Sequence, residues 1–193
     1  MRKTAILTAL VLVLGYGTAM AQASYAIDTV HSNVGFKIRH LVSKVSGQFT
    51  DFDGTIVADL ENLDKSSVEF TIQAASIDTK NEKRDGHLRS EDFFDAEKHP
   101  QITFKSSKIT RVDDDTFAVA GTLTMRGVSN AITLMVDFLG EMSAMGGTRA
   151  GYELTTTLNR MDYGVSWNRA VEAGGFVLGD EVEVNIALEL IKQ

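Results

Sequence analysis

Apolar residues recur at every second position along most of the chain, a period of two that commits it to strands rather than helices. Val34, Phe36 and Ile38 alternate with Asn33, Lys37 and Arg39. Val68, Phe70, Ile72 and Ala74 alternate with Glu69, Thr71 and Gln73. Val45, Gly47 and Phe49 run on into Phe52, Gly54 and Ile56, with Asp51 as an extra bulge residue. The same rhythm marks Ile102 with Phe104, Phe117 to Met125, Ile132 to Phe138, Tyr152 to Leu158 and Val182 to Leu190. These rows define eight strands with little helix between them.

The breaks carry turn chemistry. Asn62 to Ser66, Asp113-Asp114-Asp115 and the glycine-rich stretch from Gly140 to Gly147 read as links between strands. Most links are too short for a crossover helix, so neighbouring strands pair antiparallel. Eight such strands form a sandwich or close into a barrel, and closure removes the exposed edges that invite aggregation. The inward rows supply Phe36, Phe49, Phe70, Phe104, Phe117 and Phe138, mixed with Gly47, Gly54, Ala74 and Gly121. Rings beside missing side chains fit a filled jigsaw core and a hollow bore equally well. A membrane barrel also alternates, but the internal helix, uneven strands and lack of paired aromatic girdles argue against one.

One segment departs from the rhythm. Thr79 and Glu82 form a capping box, and Lys80 to Leu88 is rich in helix formers. Ser90 then caps a second turn carrying Phe93 and Phe94, and the loop ends at the chain's single proline, Pro100. A second irregular stretch, Arg160 to Gly179, holds Trp167. The two segments read as a lid, or as two loops on the rim of the β-structure.

The first residues read as targeting rather than fold. Met1-Arg2-Lys3 is a basic head, Thr4 to Leu14 an apolar run, and Ala19-Met20-Ala21 a small-residue cleavage site, the pattern of a secretory signal peptide over residues 1–21. Residues 22–193 then form a single domain, with no further stretch able to span a bilayer as a helix. Loss of Arg2 and Lys3 moves the formal charge from −7 to −9. An acidic surplus argues against nucleic acid as a partner. The absence of cysteine excludes a disulfide framework and a thiol nucleophile.

Catalytic and metal motifs are missing as well. The chain has no G-x-S-x-G, S-x-x-K or phosphate loop, and its four histidines show no zinc spacing. His31 and His40, nine residues apart on one strand, point to opposite faces. His40 continues the inward row and stands at the mouth of the interior. The helix carries Lys80, Glu82, Lys83, Arg84, Asp85, His87 and Arg89, either a solvated face of weak pairs or a polar clamp whose Arg84 or Arg89 grips a phosphate or carboxylate. Arg160 and Asp162 offer another pair near a turn.

Several motifs in one order resemble the YceI-like family of exported, lipocalin-like, polyisoprenoid-binding proteins. Asp28-x-x-His31-Ser32-x-Val34-x-Phe36-x-x-x-His40 is similar to that family's opening strand, and Gly47-x-Phe49 with Phe52-x-Gly54 to its second. Ser76-Ile77-Asp78-Thr79 and Arg84-Asp85-x-His87-Leu88-x-Ser90-x-Asp92-Phe93-Phe94 match its most specific signature. Pro100-x-Ile102-x-Phe104, Gly121-x-Leu123-Thr124-x-Arg126-Gly127-Val128 and Asn159-Arg160-x-Asp162-Tyr163-Gly164 complete the series. Tyr25 stands where many relatives are expected to carry Trp.

The resemblance implies an all-β, eight-stranded antiparallel up-and-down barrel with one short helix and a loop at its mouth. It implies a hydrophobic pore, a homodimer and a bound long-chain isoprenoid of the quinone or polyprenyl phosphate type. No enzymatic activity, catalytic cofactor or metal is implied. The expected function is periplasmic lipid binding, for transport, storage or stress protection. Phe36, Ile38, Phe49, Phe70, Phe104, Leu123 and Phe138 are the candidate tail contacts, and His40, Arg84, Arg160 and Trp167 the candidates for the mouth. Two alternatives stay open: a filled-core exported interaction protein, and an enzyme on a small hydrophobic substrate using His40 or a helix carboxylate.

Overall fold

In the computed structural model the alternating rows become strands, and residues 23–172 and 174–193 are described. The leader of residues 1–21 lies outside them. The strands are β1 (Ala23–Ile27), β2 (Asn33–His40), β3 (Ser43–Phe49), β4 (Phe52–Ala58), β5 (Ser67–Gln73), β6 (Ile77–Asp78), β7 (Gln101–Arg111), β8 (Thr116–Met125), β9 (Val128–Ala144), β10 (Gly147–Asn159) and β11 (Leu178–Lys192). One helix, α1 (Glu82–Arg89), follows β6.

All pairings are antiparallel, and the order β1-β4-β5-β7-β8-β9-β10-β11 closes because β1 also pairs with β11. That is the expected eight-stranded barrel. The remaining strands are explained by bending. β11 pairs with β1 through Leu190 to Lys192 and with β2 through Leu178 to Ala187, so β1 and β2 are two halves of one bent wall strand. β3 and β4 form a second such pair, β3 against β2 and β4 against β1. Their junction at Thr50 and Asp51 is a break rather than a bulge within a strand, and the Asp51 carbonyl accepts from Gln73 N at 2.9 Å.

The rows point as their period requires. Val34, Phe49, Phe70, Phe104 and Leu123 are buried, while Glu69 and Lys105 pair on the outer wall at 2.6 Å. Lys37 and Lys44 both meet Glu183 there, at 3.5 and 3.3 Å. Inward rings lie over glycines: a Cβ on Gly121 would stand 2.5 Å from Phe104 Cζ, and one on Gly54 3.1 Å from Phe70 Cδ2.

Three local expectations are corrected. Gly140 to Gly147 is mostly strand, because β9 runs to Ala144 and the reversal needs only Met145 and Gly146, at φ +52° and +82°. Positive φ at both central residues is the two-residue turn that suits strand twist. Gly140 (φ +123°) lies where the β9–β10 register shifts. The helix begins at Glu82, capped by Asn81, whose Oδ1 accepts from Arg84 N at 3.0 Å. Lys80 at φ +60° cannot continue a helix, and Thr79 turns away from the capping box to donate from N and Oγ1 to Asp85 Oδ1, at 2.9 and 2.5 Å. His31 lies in the turn before β2 rather than on the strand with His40.

Candidate functional site

The barrel is hollow. Three chambers follow one another along its axis, with volumes of about 260 Å³ beneath α1, 100 Å³ in the middle and 140 Å³ at the far end. Neighbouring chambers share walls. Phe36, Phe49, Ile102 and Leu158 line both the first and the second, while Phe70, Phe104, Leu134 and Ile186 line both the second and the third. To the open question of the sequence, bore or filled core, the structure answers with a row of three apolar chambers that share walls.

The candidate residues converge on it. Phe36, Ile38, His40, Phe49, Arg84, Arg160 and Trp167 line the chamber beneath α1. Leu123 lines the middle chamber, and Phe70 and Phe104 line the middle and far ones. Phe138 alone stands apart: half-buried, it packs on Tyr152 at 5.2 Å and lies outside the chamber walls. Leu63, inside the Asn62 to Ser66 link, and Leu60, just before it, line the far chamber instead. Only their spacing, three apart and leading into a 3₁₀ turn, could have signalled it.

The roof over the first chamber is assembled from arginine bonds to backbone carbonyls. Arg160, 5% exposed, donates from Nε to Gly179 O at 2.9 Å and from Nη1 to Val165 O and Trp167 O at 2.5 and 2.9 Å. Burial pushes its guanidinium pKa down, and only the exposed Asp180 at 3.5 Å opposes that. Arg126 reaches Gly164 O from Nη1 and Glu91 O from Nη2, the latter at 2.6 Å, so one side chain ties both irregular segments to the β8–β9 turn. Arg89 fixes the base of the helix to Ala75 O at 2.8 Å and Ile77 O at 3.2 Å. Sequence reading missed the strapping role of Arg126, for which its place in a tight turn was the only signal.

An aromatic cluster completes the roof. Trp167 lies 5.2 Å from Phe93 and 5.1 Å from His87, and His87 pairs with Asp92 through Nε2 at 2.8 Å. Such ring pairs contribute beyond their area, about 0.5–1.5 kcal/mol each. Arg84 is held on the chamber side of α1 by Thr79, donating from Nε to Oγ1 at 2.7 Å and from Nη2 to the carbonyl at 2.8 Å.

One cluster resembles a metal site. Asp28, His31 and Glu189 bring ligand atoms within 4.8 Å of one another. The cation among them is Arg149, whose Nη1 meets Asp28 Oδ2 at 2.7 Å and also Glu189 Oε1. Arg149, and then His31, hold the Asp28 carboxyl well below the usual carboxylate range. The cluster pins the bend between β1 and β2 to β10 and β11.

Residues 25–190 match the YceI-like domain. A UPF0312 protein of Staphylococcus aureus (strain N315) is 38% identical over 169 residues, covering 86% of this chain and 96% of its own. The crystal structure of the Campylobacter jejuni YceI protein aligns with a TM-score of 0.68 at 32% identity, over 88% of this chain and 98% of that one. A domain from Saccharophagus degradans described as polyisoprenoid-binding shares the fold, with a TM-score of 0.67 at 17% identity, over 88% of this chain and 98% of its own. With the domain matched along nearly the whole barrel and relatives this close in sequence, the chain belongs to the YceI-like family.

Proposed function

We propose that this protein is a non-enzymatic carrier that holds a long-chain isoprenoid in its barrel lumen. The observation that carries the reading is the row of three chambers, whose shared walls are almost wholly hydrocarbon. A site of that kind binds by burial: ten methylene equivalents contribute roughly 8 kcal/mol at about 0.8 each. Before the cost of association, this corresponds to about micromolar affinity without a charged contact. The polyisoprenoid-binding description of a domain with the same fold directs the choice of an isoprenoid over a fatty chain. The reading includes export to the periplasm, resting on the leader pattern of residues 1–21, and a homodimer, resting on the family resemblance.

The test is native mass spectrometry of the protein purified from its own host, followed by organic extraction and re-addition of a polyprenol or quinone. A mass excess that extracts as one isoprenoid class is the expected result. A bare mass that stays bare after re-addition would overturn the reading and favour an interaction protein.

A further inference from the structure

We infer that the tip of the β2–β3 hairpin, Leu41-Val42, together with Phe176 forms a surface that docks the barrel mouth onto an anionic lipid bilayer. The inference rests on the carrier reading and adds the surface at which such a carrier meets a membrane.

Turn chemistry sets this tip apart. Among the described residues three strand pairs reverse through two residues: Leu41-Val42 between His40 and Ser43, Arg126-Gly127 between Met125 and Val128, and Met145-Gly146 between Ala144 and Gly147. The last two place glycine second, as a tight reversal favours. At the first, Leu41 takes φ +50° and a β-branched valine follows, a conformation that Asn and Gly adopt at lower cost. Burial does not offset that cost. Val42 is fully exposed, more so than any other large apolar side chain among the described residues, and Leu41 is exposed as well. Phe176, 58% exposed, precedes the residue whose carbonyl binds the tip: Leu41 N donates to Val177 O at 2.8 Å. Apolar side chains kept in water against local preference mark an interaction surface rather than a folding requirement.

Charge selects the partner. The chain has 26 acidic residues against 19 Lys and Arg, yet no acid stands from Thr29 to Thr50. In that stretch Lys37 and Lys44 share Glu183, while Asp180 nearby is met by Arg160. Arg39, exposed, donates from Nη1 to Leu41 O at 3.3 Å and has no acidic partner among the described residues. Arg169 is exposed and without an acidic partner among them too, and its carbonyl accepts from Val177 N at 2.9 Å. Glu172 is the one acid in residues 164–179. Two unpaired arginines thus flank an apolar tip. Anionic head groups above hydrocarbon complement that arrangement, with cations among the head groups and apolar side chains in the acyl boundary. A protein partner suits it less, because three side chains on a convex tip offer far less than the roughly 800 Å² per partner that a stable interface buries.

The tip adjoins the entrance to the lumen. His40, next to Leu41, and Val177, its bond partner, both line the chamber beneath α1. Seating Leu41, Val42 and Phe176 in a bilayer therefore brings that chamber to the membrane surface.

The experiment pellets sucrose-loaded vesicles of phosphatidylcholine with phosphatidylglycerol, and of phosphatidylcholine alone, in the presence of the purified protein. The expected result is binding to the anionic vesicles that falls about tenfold or more on phosphatidylcholine alone. Leu41→Asn with Val42→Gly should weaken binding to the anionic vesicles about as much. The same double variant should hold or raise the melting temperature, because Asn-Gly is the favoured pair for a two-residue reversal. Met145→Asn, at the opposite end of the barrel, should bind as the wild type does. Binding to neither vesicle would overturn the inference and leave the tip to a protein partner. Equal binding to both vesicles, unchanged binding by the double variant, or an equal loss in Met145→Asn would overturn it as well. The carrier reading is decided separately by the lipid extracted from the lumen, so each of these results leaves it standing.

Discussion

Arg160 is expected to act as a strap rather than as a ligand contact, and Arg160→Lys separates the two roles. The substitution keeps the charge but replaces a planar fork, whose Nε and Nη1 reach three carbonyls, by a single ammonium on a flexible stem. Bonds from a charged donor contribute about 1.5–3 kcal/mol each, and water recovers part of what an opened carbonyl loses. Losing two of the three should therefore weaken closure of the segment from Val165 to Gly179 by about 3 kcal/mol, a ~100-fold rise in its opening equilibrium at 1.4 kcal/mol per decade. Hydrogen exchange measures this where the segment is bonded. Val177 N donates to Arg169 O at 2.9 Å and Leu178 N to Asn168 Oδ1 at 3.0 Å. Both amides should exchange about two decades faster in the variant. Amides of the β8–β9 ladder, such as Gly121, should change little. Exchange at Val177 and Leu178 within twofold of wild type would refute the strap, and equal acceleration in both places would show a global rather than local effect.

Other consequences follow from the wall and from the bend. A Cβ on Gly121 would stand 2.5 Å from the Lys105 carbonyl oxygen, a backbone atom that cannot step aside, so Gly121→Ala should cost about 1–3 kcal/mol. At roughly 2–4 °C per kcal/mol the melting temperature falls measurably in calorimetry. Gly86→Ala on α1 meets nothing within 4 Å and should not lower it; equal melting of the two variants would show that ring-over-glycine packing is not tight. The Asp28 carboxyl, held low first by its bond from Arg149, supports the fold above its ordinary value of 3.8 and withdraws that support as the pH falls below it. Asp28→Asn should therefore flatten the loss of stability below about pH 4 in urea titrations, and a slope identical to wild type would remove the cluster from the acid response.

The barrel was legible because its evidence is local and repeated. Each strand shows its own alternation, mostly short links make neighbours antiparallel, and the family resemblance chooses the closed barrel over a sandwich. Bends were less legible: Thr50-Asp51 and Asp28 to Ser32 split two wall strands, and whether a polar pair in a row marks a bulge, a break or a turn depends on which neighbour it meets. The helix start failed for a similar reason. Thr79 and Glu82 satisfy the capping pattern, but Asp85 takes both Thr79 donors and Asn81 inherits the cap. The roof was the least legible part, since Arg126 and Arg160 work through carbonyls, which every residue carries and no sequence pattern displays.

A bore of this kind opposes stability, and the way the wall sustains it is visible in its glycines. At about 24 cal/mol per Å³ of cavity, the chamber of about 260 Å³ beneath α1 corresponds to about 6 kcal/mol. That is on the order of the whole stability of an ordinary domain. Selection for stability alone would fill it. Instead Phe36 faces Gly47 across the β2–β3 ladder and Phe70 faces Gly54 across β4–β5, so each ring lies against the wall in the space its partner's side chain would take. Any larger residue at those glycines would lift the ring toward the axis and narrow the lumen. The phenylalanines thus contribute apolar surface without obstructing the bore, and the lipid tail of the proposed function would restore on binding the stability forgone there.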